Sequence, residues 1–159
     1  MSTTEVSASP RQREPQLTGQ TVVLLGGSAG IGLETARLAR AEGVVAEYQR
    51  ALAAGDLDAI TATFESDGYA REPSGREHVH RGREALRLFY ERCFSNGGGI
   101  ELEHCALVHD GRACALEYNV VRWGRTELPP EAGVAVYVQG ESGQMAAARI
   151  YDDADPPIS

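Results

Sequence analysis

The sequence predicts an α+β fold, because helical patterns fill its first half and strand patterns fill its second half. Helical spacing ends near Phe94, and four apolar strand-like runs follow with no further helix between them. The first two runs flank the segment HDGR, whose Asp110-Gly111 pair is typical of a β-hairpin turn. A length of 159 residues suits one such domain with an appendage.

The helices are predicted from apolar residues spaced three and four positions apart. Gly43 separates the first two helical patterns, and Asp56 is a suitable N-cap for the third. A polar, turn-rich passage, residues 65–82, with short extended pieces at its ends, then precedes the last helix. The four predicted helical segments are Ile31–Glu42, Val44–Ala54, Asp56–Phe64 and Gly82–Phe94.

The strands are predicted from β-branched and aromatic runs bounded by turn residues. Short turns between consecutive runs indicate an antiparallel meander, and Pro129 and Pro130 are expected to break the chain before the third strand. The predicted strands are Ile100–Val108, Ala113–Trp123, Gly133–Gln139 and Met145–Asp152.

Composition limits the partners and the compartment of the protein. Acidic residues outnumber basic ones by 23 to 15, and a net charge of -8 disfavours nucleic acid as a partner. No apolar run approaches the roughly 18 residues of a membrane span, and the polar N-terminus does not resemble a signal peptide. The three cysteines form no CxxC pair, as in a reduced protein, so we expect a cytoplasmic location.

The histidines do not form a convincing metal site. His78 and His80 are the only close pair, and no compact set of carboxylates or cysteines accompanies them. We therefore expect no bound metal.

Residues 17–43 (LTGQTVVLLGGSAGIGLETARLARAEG) resemble the first strand, glycine turn and first helix of short-chain dehydrogenases. In that family the glycines let a pyrophosphate approach a helix N-terminus. The resemblance ends near Gly43, and the chain contains no lysine, so the family's Tyr-x-x-x-Lys pair has no counterpart. We expect a vestigial arm that binds no nicotinamide cofactor, after a disordered tail at residues 1–16.

Residues 44–157 resemble the nuclear-transport-factor-2-like superfamily, in particular its SnoaL-like polyketide cyclase and ketosteroid isomerase branches. The resemblance rests on the AGDLDA turn, the Glu-Pro step of REPSG, the RGREALRLFY helix and the closing ARIYDD strand. It implies a cone-shaped domain in which a curved antiparallel sheet wraps helices around a deep apolar pocket. It also implies a homodimer, a small apolar ligand and no cofactor.

Isomerase chemistry in this family uses a carboxylate base in an apolar cavity and hydrogen-bond donors for the developing oxyanion. By the resemblance, Tyr48 matches the oxyanion-hole tyrosine and Glu72 matches the base. The family's second donor, a protonated acid, falls on Ala135, which has no proton to donate. Asp152 is a candidate substitute, because strand alternation places it on the same face as Ile150, which the resemblance directs towards the pocket.

Each of these residues also has a structural interpretation. Tyr48 can be a core tyrosine, Glu72 a solvated loop carboxylate and Asp152 an exposed residue of the acidic tail. The same alternative holds for the aromatic residues that are predicted to line the pocket and contact the substrate: Phe64, Phe89, Tyr118 and Tyr137.

The predicted function is a cofactor-independent, proton-shuttling isomerase or cyclase that acts on a small apolar carbonyl compound. The alternative is a non-catalytic ligand-binding or interaction module of the same fold, since one fold hosts many functions. An NAD(P)-dependent reductase would need a complete Rossmann sheet, for which the chain is too short. A fully exposed Glu72 would favour the binding module.

Overall fold

The computed structural model describes residues 31–74, 78–110 and 112–152, without the side chains of residues 31–42, Cys105 and His109. The expected disordered tail, the first strand of the dehydrogenase-like segment (Thr21–Leu25) and its glycine turn up to residue 30 lie outside the described residues. The helices are α1 (Ile31–Ala54), α2 (Leu57–Ala62) and α3 (Gly82–Cys93). The strands are β1 (Phe64–Arg71), β2 (Val79–Arg81), β3 (Ile100–His109), β4 (Ala113–Trp123), β5 (Thr126–Gln139) and β6 (Met145–Asp152).

The six strands form one curved sheet in the order β2-β1-β6-β5-β4-β3. The strands from β3 to β6 are the predicted antiparallel meander, and β2 pairs antiparallel with β1. The β1–β6 pair is parallel, so the sheet is mixed. The predicted α+β architecture, a curved sheet around helices, is confirmed. Among the described residues, no helix combines the length and apolar character needed to cross a bilayer.

The first two predicted helical segments form a single helix, α1. A glycine inside a helix costs only about 1 kcal/mol relative to alanine. That cost does not end the helix at Gly43, which is exposed and has no neighbouring atom where a Cβ would lie.

The predicted break at Pro129 and Pro130 is wrong, because β5 runs through both prolines. The pairing of β4 with β5 shifts between Val120, which faces Glu131, and Arg122, which faces Glu127. The prolines lie inside that irregular step, where a missing backbone N–H removes no regular ladder bond.

The passage predicted as polar and turn-rich, residues 65–82, contains all of strand β1 except its first residue. Helix α2 ends at Ala62 rather than Phe64, and Phe64 opens the strand. The predicted Asp56 cap is confirmed, since the Asp56 carboxylate accepts a 2.9 Å hydrogen bond from the Ala59 N–H. Strand β1 was hard to predict because its inward positions include Gly68 and Ala70, which give no hydrophobic alternation.

Small residues on the inner face of the sheet make room for a cavity. Ala70, Ala148 and Ala135 are at most 1% exposed, yet their side chains occupy little volume. Ala70 pairs with Ala148 across the parallel β1–β6 junction, and Ala148 pairs with Tyr137 of β5. Large side chains from α1 and α3 therefore face small residues of the sheet, and a space remains between the helices and the sheet.

The C-terminus of α1 packs directly on the backbone that precedes β3. A Cβ built on Gly99 would lie 2.0 Å from the Leu52 carbonyl oxygen and 2.4 Å from that of Ala53. Gly55 follows the helix with a φ of 68°, and a Cβ built on it would likewise overlap the backbone of Gly98 and Gly99. This backbone contact fixes the end of α1 against the start of the meander.

We predict that Gly99→Ala lowers the free energy of unfolding by about 2 kcal/mol or more, because the new methyl group overlaps backbone atoms that cannot move independently. Gly43→Ala is the matched control and should raise the free energy of unfolding by about 0.5–1 kcal/mol, since its site is open. Urea unfolding of both variants measures the difference. Equal effects would contradict the close packing at Gly99.

Candidate active site

A cavity of about 680 Å³ lies between the helices and the inner face of the sheet. The structure brings the three catalytic candidates, Tyr48, Glu72 and Asp152, to the wall of this one cavity. Three of the four predicted aromatic residues also line it: Phe89, Tyr118 and Tyr137. Phe64 is not a lining residue; it is 1% exposed and packs edge-on against the Tyr48 ring at 6.0 Å.

Two tyrosine hydroxyls from different helices meet in this wall. Tyr48 of α1 and Tyr90 of α3 are hydrogen bonded, with 3.0 Å between the hydroxyl oxygens, and both are at most 2% exposed. A phenol has one proton, so this bond uses one of the two and leaves the other for a further acceptor. Tyr90 was not among the predicted site residues, although the helical stripe that contains Phe89 and Cys93 already indicated that it is buried.

Burial keeps the cavity tyrosines in their neutral form. Loss of solvent raises the pKa of Tyr48 well above 10.0, and a neighbouring Tyr90 charge would raise it further. Burial likewise raises the pKa of Tyr90 and Tyr137. For Tyr118, burial is again the main cause, followed by the negative charge of Asp152. All four phenols are therefore hydrogen-bond donors at neutral pH.

A second hydrogen-bonded pair joins β4 to β6. The Tyr118 hydroxyl donates to Asp152 Oδ2 over 2.6 Å. Gly133 of β5 pairs with Tyr118 on one side and Asp152 on the other. A Cβ on Gly133 would lie 2.7 Å from the Asp152 Cβ and 2.8 Å from the Tyr118 ring. The bond can therefore span the intervening strand only because residue 133 has no side chain.

Glu72 has a close partner behind the cavity wall, His80, which does not itself line the cavity. Glu72 Oε2 lies 2.6 Å from Nε2 of His80, and the Arg92 guanidinium lies 4.0 Å from the same oxygen. The Glu72 side chain is 39% exposed, so it is neither enclosed nor fully solvated. From the sequence, His80 was a candidate only for metal binding, because spacing alone does not reveal the contact with Glu72.

Cys93 lines the same cavity but is not a suitable nucleophile. Burial raises the pKa of its thiol to about 12, so the reactive thiolate is scarce at neutral pH. Its carbonyl oxygen accepts a 2.7 Å hydrogen bond from the Trp123 indole, which secures the end of α3. Among the residues that the structure describes, no cluster of three or more potential metal ligands occurs.

Alkaline pH should destabilise the protein through the cavity tyrosines. The chain has six tyrosines, and the four at the cavity can ionise from about pH 10 only when the chain unfolds. Above that pH the unfolded chain therefore binds fewer protons than the folded chain. Below pH 10 their contribution to the free energy of unfolding is complete. Above it, each of the four tyrosines should lower that free energy by about 1.4 kcal/mol per pH unit. Urea unfolding across this range measures the slope, and Tyr118→Phe should reduce it. A level profile would contradict the buried, neutral state.

Three solved structures show how far the fold extends among other proteins. A provisionally assigned polyketide cyclase from Xanthomonas campestris is 22% identical, with a TM-score of 0.60 over 72% of this chain and 91% of that chain. A second such protein, from Sinorhizobium meliloti, is 20% identical, with a TM-score of 0.56 over 67% and 92%. SalBIII, an epoxide hydrolase/cyclase-like enzyme of pyran ring formation in the polyether salinomycin, is 24% identical, with a TM-score of 0.57 over 71% and 89%. At these identities the likeness concerns the fold.

No curated protein matches the sequence. The sequence model of the SnoaL-like domain, however, matches residues 45–148, which include α2, α3 and most of the sheet. The match begins in the middle of α1, close to the residue where the resemblance to dehydrogenases ends. Because it spans more than half of the chain and agrees with the fold, the protein belongs to the SnoaL-like domain family.

Proposed function

We propose that the protein is a cofactor-independent isomerase or cyclase that moves a proton next to the carbonyl group of a small apolar ligand. One observation carries this proposal: a carboxylate, Glu72, and a buried phenol pair, Tyr48 with Tyr90, line one cavity whose other walls are mostly apolar. A base and a neutral donor in a partly dehydrated space are the two requirements of such chemistry.

Glu72 is the proposed base. Its carboxylate takes a proton from the carbon beside the carbonyl, and the electrons of the broken C–H bond form the enolate. The phenol of Tyr48 donates to the enolate oxygen while Tyr90 donates to Tyr48. Glu72 then returns the proton to the substrate in an isomerisation, or the enolate carbon closes a ring in a cyclisation. In the cyclisation the enolate carbon bonds to a second carbonyl carbon of the same molecule, whose oxygen takes the electron pair and then the proton held by Glu72.

Asp152 is the proposed second donor, in place of the acid that the family carries at the position of Ala135. Ala135 faces inward between Leu116 and Ile150, and Asp152 lies one inward position further along β6. Oδ2 of Asp152 accepts from Tyr118, and Asp152 donates to the oxyanion when its other oxygen carries a proton. The Tyr118–Asp152 pair thus holds a proton beside the cavity in either state.

The alternative function is non-catalytic binding of an apolar ligand in the same cavity. The partial exposure of Glu72 and the missing acid at Ala135 favour it. The homodimer also stays a prediction, and the outer face of the sheet, with exposed Val134 and Tyr151 on paired positions, is the surface that it would use.

We predict that Glu72→Gln abolishes proton exchange without abolishing binding. Wild-type protein should incorporate solvent deuterium beside the carbonyl of a steroid-like or polyketide-like ketone, and the variant should be slower by about 100-fold or more. Mass spectrometry of the ketone measures exchange, and calorimetry measures binding. Glu117→Gln is the matched control, because Glu117 is exposed on β4 and is not a lining residue. Binding of a ketone by the wild type without exchange would establish the ligand-binding alternative.

We predict that Asp152→Asn retains most of the exchange rate, whereas Asp152→Leu loses about 10- to 100-fold, because an amide still donates a hydrogen bond and an alkyl group does not. The same deuterium assay compares the two variants. Asp67→Asn, at an exposed position of β1, is the control. If the asparagine and leucine variants are equally slow, the carboxylate form is required and Asp152 is not the second donor.

A further inference from the structure

We infer that His80 is a positioning residue for Glu72: its ring holds one carboxylate oxygen and leaves the other for the ligand. The inference rests on the proposed function, since it assigns a role beside the proposed base. It starts from the shortest contact of Glu72 in the described structure, the 2.6 Å approach of His80 Nε2 to Oε2.

The hairpin of β1 and β2 brings the two side chains together. Ala70 pairs with His80, and the Glu72 N–H donates to the His78 carbonyl oxygen over 2.9 Å. Glu72 and Ala70 are two residues apart and share the inward face, so His80 is the diagonal neighbour of Glu72 on that face. The register of the hairpin, rather than a flexible approach, therefore sets the contact.

The imidazole is itself held in place. Its ring stacks on Phe89 of α3 with 4.4 Å between centroids and an 11° angle between planes. The His80 side chain is only 11% exposed, against 39% for Glu72. The Arg92 guanidinium lies 6.0 Å above the Phe89 ring and 4.0 Å from Glu72 Oε2. The more rigid partner is thus the histidine, and the carboxylate is the group that it orients.

The polarity of the contact follows from the chemistry of the two groups. An ionised carboxylate only accepts hydrogen bonds, so Nε2 carries the proton and donates to Oε2. Arg92 approaches the same oxygen. The His80 hydrogen bond therefore occupies Oε2, with the Arg92 charge 4.0 Å from the same atom, and Oε1 is the oxygen with capacity for a proton from a ligand. Loss of His80 would let the carboxylate rotate towards solvent at the cavity mouth.

His80 lines a second cavity beside α3, an open groove of about 880 Å³ with Val79, Leu88 and Arg92 in its walls. The histidine therefore stands between this groove and the wall that carries Glu72. A small molecule can reach the His80 position from the groove without entering the ligand cavity. Added imidazole is a suitable probe of this arrangement.

The first test needs no ligand. The ring Nε2–H of His80 should give a nitrogen-bound proton resonance at neutral pH that exchanges slowly with solvent, because a carboxylate accepts it in a side chain that is 11% exposed. Glu72→Ala should remove the resonance, and His104→Gln, a change on β3, should leave it in place. If the wild type lacks the resonance, or if it persists in Glu72→Ala, the proposed contact is overturned.

The second test uses deuterium exchange into a ketone. His80→Leu should lower the rate by about 100-fold, the effect of a base displaced by about 1 Å. His80→Gln retains an N–H donor and should recover most of the rate. His80→Ala should be rescued by millimolar imidazole, whereas His104→Ala should not respond to it. Equal rates in wild type and His80→Leu would overturn the inference.

The two proposals fail in different ways. If no ketone exchanges in the wild type, the proposed function fails, and the ring resonance alone decides whether His80 orients Glu72. If the wild type exchanges and the leucine and glutamine variants are equally slow and folded by circular dichroism, His80 acts by packing on Phe89 rather than by hydrogen bonding, which overturns the inference while the proposed function stands.

Discussion

The candidate site depends on the parallel pairing of β1 with β6. This ladder aligns Arg71 with Arg149, so Glu72, which directly follows β1, and Asp152, the last residue of β6, come to the same end of the sheet. Parallel strands require a long connection, and here the helix α3 and four strands intervene in sequence. Without this pairing the two carboxylates would lie on unrelated parts of the surface, and the cavity would lack one wall.

The cavity exists because the sheet and the helices contribute side chains of opposite size. Small residues on the inner face of β1, β5 and β6, among them Ala70, Ala135 and Ala148, leave space opposite the tyrosine and phenylalanine rings of α1 and α3. The rings enclose polar hydroxyls in an apolar region, which is unfavourable unless each finds a partner. The Tyr48–Tyr90 and Tyr118–Asp152 bonds meet that requirement, and the Tyr48–Tyr90 bond also leaves one phenol proton for a further acceptor.

Much of the fold and part of the site could be predicted from local patterns. The Asp56 cap, α3 and the meander follow from capping, helical spacing and turn chemistry, each of which acts over a few residues. The path of β5 through Pro129 and the strand β1 could not be predicted in this way. Whether a strand tolerates a proline depends on the register of the neighbouring strand. A strand whose inward positions include glycine and alanine shows no alternation of hydrophobic and polar residues.

By itself, the sequence determined the α+β class, the helical and strand patterns, the exclusion of a catalytic lysine and the residue types available to a site. Only the tertiary structure decided which of these residues meet. Tyr90 reaches Tyr48 across 42 positions, and Tyr118 reaches Asp152 across 34 positions and over Gly133. The contact of His80 with Glu72 depends on hairpin register and on a ring supplied by α3. Such meetings result from strand pairing and helix packing over the whole domain, which no local spacing encodes.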